Sequence, residues 1–497
     1  MSSALLRAPG SRSGVPRRIH ERAHCHSVRW PLAIMLVVTT RAAHAQERPD
    51  PLRRTTPSLT DTAIHAMDAR PAASVVAATG DTTLDALIVD GLTRSPTVRA
   101  THDRVSAARA RIRPAGSRTD PNLIAGLIQI PIAKPSLTDD NFTMLMVGVG
   151  QLFPYPGKLA LRARAATFDA DAVRTGVETA RLGVIRAVKD AYYEAAYLGQ
   201  ALEIAERNRL VLADVVRVTE ARYGTGAGGQ QDVLRARVEA ARLAETASML
   251  GEARRAVIAQ LNAALDRPTE TPLERAAIPE RIAHAAVAAD VARIRFATAT
   301  FGARAADSPV PSVAVLEERA VRYNSTLREH EARIAAQAAR VELTRKEYKP
   351  DFDVSVQYNH RVAFPDLATV QVAFPLRLQK SARQDQAVAE ATADLSALEA
   401  EHRADVNEVR SRVAMLVSDL ERNRTLLALY VKAILPQSHA GVTSALASYQ
   451  AGRSDLLTLL DLQNTVFTYE TAYFRALSDF AKKLAELEQV VGAEVLP

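Results

Sequence analysis

The sequence predicts a mostly α-helical protein with a membrane β-part, built from two copies of one unit in which a strand pair leads into a very long helical hairpin. Three observations predict it. A heptad run extends without proline from Gly157 to Arg222. The second half of the chain repeats landmarks of the first at an offset of about 229 residues, and four short segments alternate apolar with polar residues.

The heptad run organises the rest. Ala163, Ala170, Val177, Val184, Ala191, Leu198, Ala205 and Leu212 follow in steps of seven, and Val188, Ala195 and Leu202 stand four residues after three of them. At 1.5 Å per residue, about 66 residues make a rod of roughly 100 Å, longer than a single compact domain requires. The seam residues are mostly small, so neighbouring helices can approach closely, while Arg and Glu fill the other faces. An ordinary coiled-coil dimer shows the same periodicity, so the flanking segments have to decide.

Residues 1–45 read as an export signal. Arg7, Arg12, Arg17, Arg18, Arg22 and Arg29 form a positive region, Trp30 to Thr40 is an apolar run too short to span a bilayer, and Ala43-His44-Ala45 is a small-x-small cleavage site that puts the mature start at Gln46. This segment holds seven of the 63 basic residues and one of the 56 acidic ones, so the remainder carries 56 against 55. A nearly neutral mature chain removes the charge argument for nucleic-acid binding. The single cysteine, Cys25, and single tryptophan, Trp30, fall in the same segment. The mature chain therefore has no disulfide or thiol chemistry, and Cys25 precedes the apolar run where a lipid-anchor cysteine would follow it.

Residues 46–82 are rich in Pro, Thr, Ala and Asp without a sustained period and are expected to be disordered. The first repeat, 83–263, opens near Thr83, a potential helix cap, with Leu84, Leu87, Ile88 and Leu92 on one face. Ser95-Pro96 interrupts this helix and a second runs to about Arg113. Asn122 to Ile130 and Phe142 to Gln151 read as strands, and a return helix follows the long rod from about Gln230 to Leu261.

Residues 264–312 form a Pro- and Ala-rich connection, expected to belt the rods, and the second repeat spans 313–492 with a short tail at 493–497. Ser95-Pro96-Thr97-Val98-Arg99 is matched by Asn324-Ser325-Thr326-Leu327-Arg328, and Asp120-Pro121-Asn122-Leu123 by Lys349-Pro350-Asp351-Phe352. Arg222-Tyr223-Gly224-Thr225-Gly226 is echoed by Ser448-Tyr449-Gln450-Ala451-Gly452, which makes Tyr223, Gly226 and Gly452 marks of two equivalent tip turns. The second long helix runs from about Ser381 to Ser448, with Pro436 forcing a bend near its far end, and Asp455 starts the return.

The strands of the second repeat are the clearer pair. Phe352, Val354, Val356 and Tyr358 alternate with Asp353, Ser355, Gln357 and Asn359, and Val370, Val372 and Phe374 form one face of the next strand. In a soluble sheet such a face covers a core. Here the neighbouring sequence supplies rods and no globular cover, and strand lengths near 10 residues suit a tilted membrane crossing, so Phe352, Val354, Val356 and Tyr358 are assigned to lipid. Four strands are too few to close a barrel, so the barrel is expected to be shared between subunits.

The duplicated unit, the Gln151-Leu152-Phe153-Pro154-Tyr155-Pro156-Gly157-Lys158 stretch, and the two Tyr-x-x-Gly turns followed by Asp232-Val233-Leu234 and Asp455-Leu456-Leu457 resemble the TolC-type outer-membrane factors, from about Leu84 to Gly492. The resemblance implies the exit duct of a tripartite efflux or type I secretion system. It implies a homotrimer whose helical hairpins form an α-barrel through the periplasm and whose three sets of four strands close a 12-stranded β-barrel in outer-membrane lipid. It also implies a periplasmic adaptor (membrane fusion) protein and an inner-membrane transporter as partners. Pro156-Gly157-Lys158 looks most like the branch allied to heavy-metal exporters of the resistance-nodulation-division type. In that family an aspartate after the first turn bonds a tyrosine and an arginine at the second to close the tunnel, and Asp232, Tyr449 and Arg453 match. Arg453 stands one residue nearer the glycine than the pattern, and Gly228-Gly229 lengthen the first loop. The competing reading makes Asp232 a helix cap and Arg453 a solvated charge.

No catalytic or cofactor site emerges. Gly157-Lys158 lacks the first glycine of a phosphate loop, where Leu152 stands, and has Leu159 in place of Ser or Thr. Gly224 to Gly229 follows a helix, which excludes a dinucleotide turn, and His330-Glu331 lacks a second histidine at metal-ligand spacing. Two alternatives remain at this level. A periplasmic adaptor has one hairpin between other modules and no membrane strands, and a structural coiled coil leaves the amphipathic strands without a purpose.

Overall fold

A computed structural model describes residues 79–132, 135–138, 140–287 and 309–496. The export segment 1–45, with Cys25 and Trp30, and the 46–82 segment as far as residue 78 lie outside the described residues, as do 288–308 of the 264–312 connection.

Helix α1 (Thr82–Arg94) is capped by Asp81, whose carboxylate accepts from the Thr83 and Leu84 amides, so the cap lies two residues before the threonine expected to supply it. The same carboxylate accepts from the Tyr192 hydroxyl at 2.5 Å, a tertiary bond that favours Asp81 in this role. Ser95 then ends α1 and caps α2 (Pro96–Gly116) through its side chain, with proline at the first helical position where no amide is needed.

Strands β1 (Asn122–Ile128) and β2 (Met144–Phe153) follow. β1 stops two residues short of the expected Ile130, because Gln129 takes a positive φ of 54° ahead of Pro131. β2 continues past Gln151, because Leu152 and Phe153 pair with Asp353 and Phe352. The rod α3 (Lys158–Gly224) is 67 residues long. Its seam is buried at Ala170, Val188, Ala195, Leu198, Ala205 and Leu212 and half-buried at the other predicted positions. Helix α4 (Gln230–Ala264) returns along it.

The second repeat runs α6 (Val313–Tyr323), α7 (Ser325–Lys346), β3 (Phe352–His360), β4 (Leu367–Ala373) and α8 (Gln384–Leu429), after a short α5 (Glu280–Ala286) in the connection. A π-helical turn, Tyr430–Ile434, separates α8 from α9 (Leu435–Gln450), and α10 (Leu456–Val491) returns. The π turn accommodates Pro436, which has no amide to donate to the preceding turn.

The four strands form one antiparallel sheet in the order β1-β2-β3-β4, with the two repeats meeting at β2-β3. The main core lies midway along the rods. Leu84 and Ile88 of α1, Tyr192 and Tyr193 of α3, Leu420 of α8 and Phe480 of α10 are its centre, and Ala276, Ile282 and Ala286 of the connection pack into it. Inside it Lys189 meets Glu488 at 2.7 Å with both side chains 7 % exposed, which ties α3 to α10 across the repeats. A second, smaller cluster of Leu212, Val215, Ala236, Ala445, Tyr449, Leu456, Leu459 and Leu460 lies at the far ends of the hairpins.

Entry into the rod depends on Gly157, which caps α3 with φ +90°, and a Cβ there would stand 2.3 Å from the Lys346 ammonium. The lysine tip can move but the backbone angle cannot. Gly157→Ala is therefore expected to cost about 1–2 kcal/mol, read as a lower thermal midpoint.

Candidate functional site

The first part of the site is the outer face of the sheet. The register aligns Leu123, Val149, Val356 and Val370 in one row across all four strands, with Ala125, Val147, Tyr358 and Ala368 beside it and Gln151, Val354 and Val372 on the other side. Leu123, Val149, Val356 and Val370 are 76, 51, 54 and 69 % exposed, an apolar band that none of the described residues covers. Of the four residues assigned to lipid, Phe352, Val356 and Tyr358 are exposed and Val354 is half-buried. The opposite face carries Gln357, Thr369, Ser355 and Gln371 from the second repeat, with glycines 148 and 150 beneath them. A side chain at Gly148 would meet the Val356 carbonyl at 2.6 Å, so this glycine sets the close approach of β2 and β3.

The second part is the junction of sheet and rods. Lys158, the lysine of the Pro-Gly-Lys stretch, is fully buried. Its ammonium donates to Glu347 Oε2 at 3.0 Å, the Lys349 carbonyl at 2.9 Å and Asp351 Oδ1 at 2.8 Å, which uses all three of its donors. Asp351 Oδ1 also accepts from the Tyr155 amide at 2.8 Å. Partial burial works to raise the Asp351 pKa, but the Lys158 and Tyr155 donors outweigh it and hold the carboxyl below its usual range.

The third part is the pair of tips. Each long helix ends in the same motif. The Gly226 and Ala227 amides donate to Tyr223 and Arg222 carbonyls at 3.0 and 2.9 Å, and the Gly452 and Arg453 amides donate to Tyr449 and Ser448 at 3.0 and 2.8 Å. Gly226 and Gly452 take φ of 72° and 69°, the left-handed conformation this cap demands. The two tyrosines differ, however: Tyr223 is half exposed, while Tyr449 is buried at 4 %. Arg222 covers Tyr449, with its guanidinium 4.8 Å from the ring centre and Nη1 donating to the Tyr449 carbonyl at 2.5 Å.

Asp232 is not a cap. Gly229 occupies the N-cap of α4 with no side-chain bond, and Asp232 stands in its first turn. Burial raises the Tyr449 hydroxyl pKa, Arg222 opposes this and Asp232 adds to it, so Asp232 and Tyr449 share one electrostatic neighbourhood. Arg453 is exposed, and among the described residues no hydrogen bond or ion pair joins it to Asp232 or Tyr449. The residue missed from sequence is Arg222. Its signal was one of the three mismatches between the echoed turns, the only one that sets a charge in one repeat against none in the other, where the second repeat has Ser448.

Among the described residues no group of three or more His, Cys, Asp or Glu side chains is arranged to hold a metal ion, and no helix is long and apolar enough to cross a membrane. The β-face and rods together define the fold class: a four-stranded antiparallel sheet with one apolar face at one end of long helical hairpins. Residues 87–266 match the family model described as outer membrane efflux protein.

Solved structures share the fold. The outer-membrane channel OprN aligns at a TM-score of 0.68 and 19% identity over 84% of this chain and 92% of its own. VceC from Vibrio cholerae aligns at 0.67 and 19%, over 84% and 97%, and the CmeC channel of Campylobacter jejuni at 0.64 and 13%, over 84% and 87%. No curated protein matches the chain in sequence.

Proposed function

We propose that three copies of this chain pool their sheets into one barrel and their hairpins into one tunnel, forming the exit duct of a tripartite efflux system. A periplasmic adaptor docks on the duct, and an inner-membrane transporter of the resistance-nodulation-division type loads it. The observation that carries this reading is the exposed apolar row Leu123-Val149-Val356-Val370, on a sheet whose outer strands β1 and β4 keep unpaired edges among the described residues. Open edges are not stable in lipid, so further strands from other copies must pair with them. Lys158 is spent on the junction, so the Pro-Gly-Lys stretch reports on architecture more than on cargo. Purified protein in planar bilayers is expected to give discrete conductance steps, and protein that inserts without conducting would overturn the duct.

The tips close the duct in this reading. Arg222 holds the two hairpins of one protomer together, while Asp232, Tyr449 and Arg453 meet across neighbouring hairpins. Arg222→Ala is expected to raise conductance several-fold. Asp232→Ala and Arg453→Ala should each raise it and combine less than additively, because both remove one interaction. Unchanged conductance in all of these variants, with trimers intact, would take the tips out of the gate.

A further inference from the structure

Below the apolar face the surface changes character. β1 and β3 start, and β2 and β4 end, at one edge of the sheet, so all four strand-helix junctions gather there. Aromatic rings finish the apolar face at this level, with Phe352 and Phe374 centroids 6.2 Å apart and the Arg118 guanidinium 5.1 Å from the Phe153 ring. Immediately beyond them Arg113, Arg118, Arg345, Lys349, Lys380 and Arg383 are exposed, and among the described residues none has a carboxylate within ion-pair distance. Of the carboxylates nearby, Glu347 and Asp351 are engaged on Lys158 and Asp385 on the Tyr348 hydroxyl, which leaves the exposed Asp120 against six cations. Along the rods several exposed arginines have a partner one turn away, as in Arg209 with Glu206, Arg217 with Asp214, and Arg242 with Glu239, while Arg235, Arg403 and Arg410 stand singly and not in a cluster.

We infer that this basic collar binds the phosphate headgroups of anionic glycerophospholipids in the periplasm-facing leaflet, and so fixes the depth of the barrel. The inference rests on the membrane reading of the sheet. An apolar belt, an aromatic border and long cationic side chains just beyond it follow the polarity profile of one bilayer leaflet from tails to headgroups. Unpaired cations at that depth meet lipid phosphate at high local density, whereas a soluble anion would give no reason for the collar to border the aromatic ring.

The test uses trimers already shown to conduct, delipidated and titrated with phosphatidylglycerol or phosphatidylcholine under native mass spectrometry. Wild-type protein is expected to retain phosphatidylglycerol in preference, and the variant R113Q/R118Q/K380Q/R383Q to lose that preference by about tenfold or more. R113K/R118K/K380R/R383K keeps the charges and should keep the preference, which separates lost charge from lost folding. Equal retention of the two lipids by wild-type protein, or an unchanged preference in the glutamine variant, would overturn the collar. Failure of the channel reading would show earlier and separately, as absent conductance in the wild type.

Discussion

Asp351→Ala is expected to destabilise the protein by about 1–3 kcal/mol, the cost of leaving one donor of a buried ammonium unsatisfied while Glu347 still pairs with it. Lys158 has no access to water, and Asp351 is its nearest acceptor at 2.8 Å. The Tyr155 amide loses its partner in the same change. Lys158→Met should cost less, because Glu347 and Asp351 are 38 and 23 % exposed and can be solvated once the cation is gone. The double variant should cost less than the sum of the two, since one interaction is removed twice. Acid acts on the same contact. The Asp351 carboxyl is held below its unfolded value of about 3.9, so its contribution is fully present above that pH and fades as the pH falls through the lower folded value. Thermal midpoints of detergent-solubilised protein at neutral and acid pH read both effects, and equal midpoints for Asp351→Ala and wild type would contradict the buried pair.

Val356→Arg is expected to disfavour the membrane-inserted state by about 2–4 kcal/mol at mid-depth, whereas Thr369→Arg should insert normally. Val356 sits in the centre of the exposed row between Val149 and Val370, and Thr369 belongs to the opposite row with Gly148 and Gln357. The same charge one face away thus separates lipid from lumen. Assembly into liposomes of the two variants against wild type is the readout, and equal insertion of both would mean that the outer row does not face lipid.

These two sites show what a sequence discloses and what it hides. The period-seven seam of α3 and the period-two alternation of β3 are backbone geometry written into residue order, so the rods, the strand face and the paired Tyr-x-x-Gly turns were legible. Lys158 was visible only as part of a family stretch. Its burial depends on Glu347, Lys349 and Asp351, nearly 200 residues away in the chain, and no local pattern reports such a contact. Asp81 outcompetes Thr83 as a cap with help from Tyr192, another distant partner. At the tips, the repeat located both turns but hid the difference between them. Arg222 covers one tyrosine and leaves the other exposed, and only the Arg222 to Ser448 mismatch marked it.

The shared barrel is the central claim, and the subunit count of the membrane-inserted protein tests it most directly. Native mass spectrometry of protein extracted from the outer membrane should give three copies of a chain beginning at Gln46, because one sheet of four strands leaves two edges open. A single copy, stably folded after removal of detergent and lipid, would contradict it.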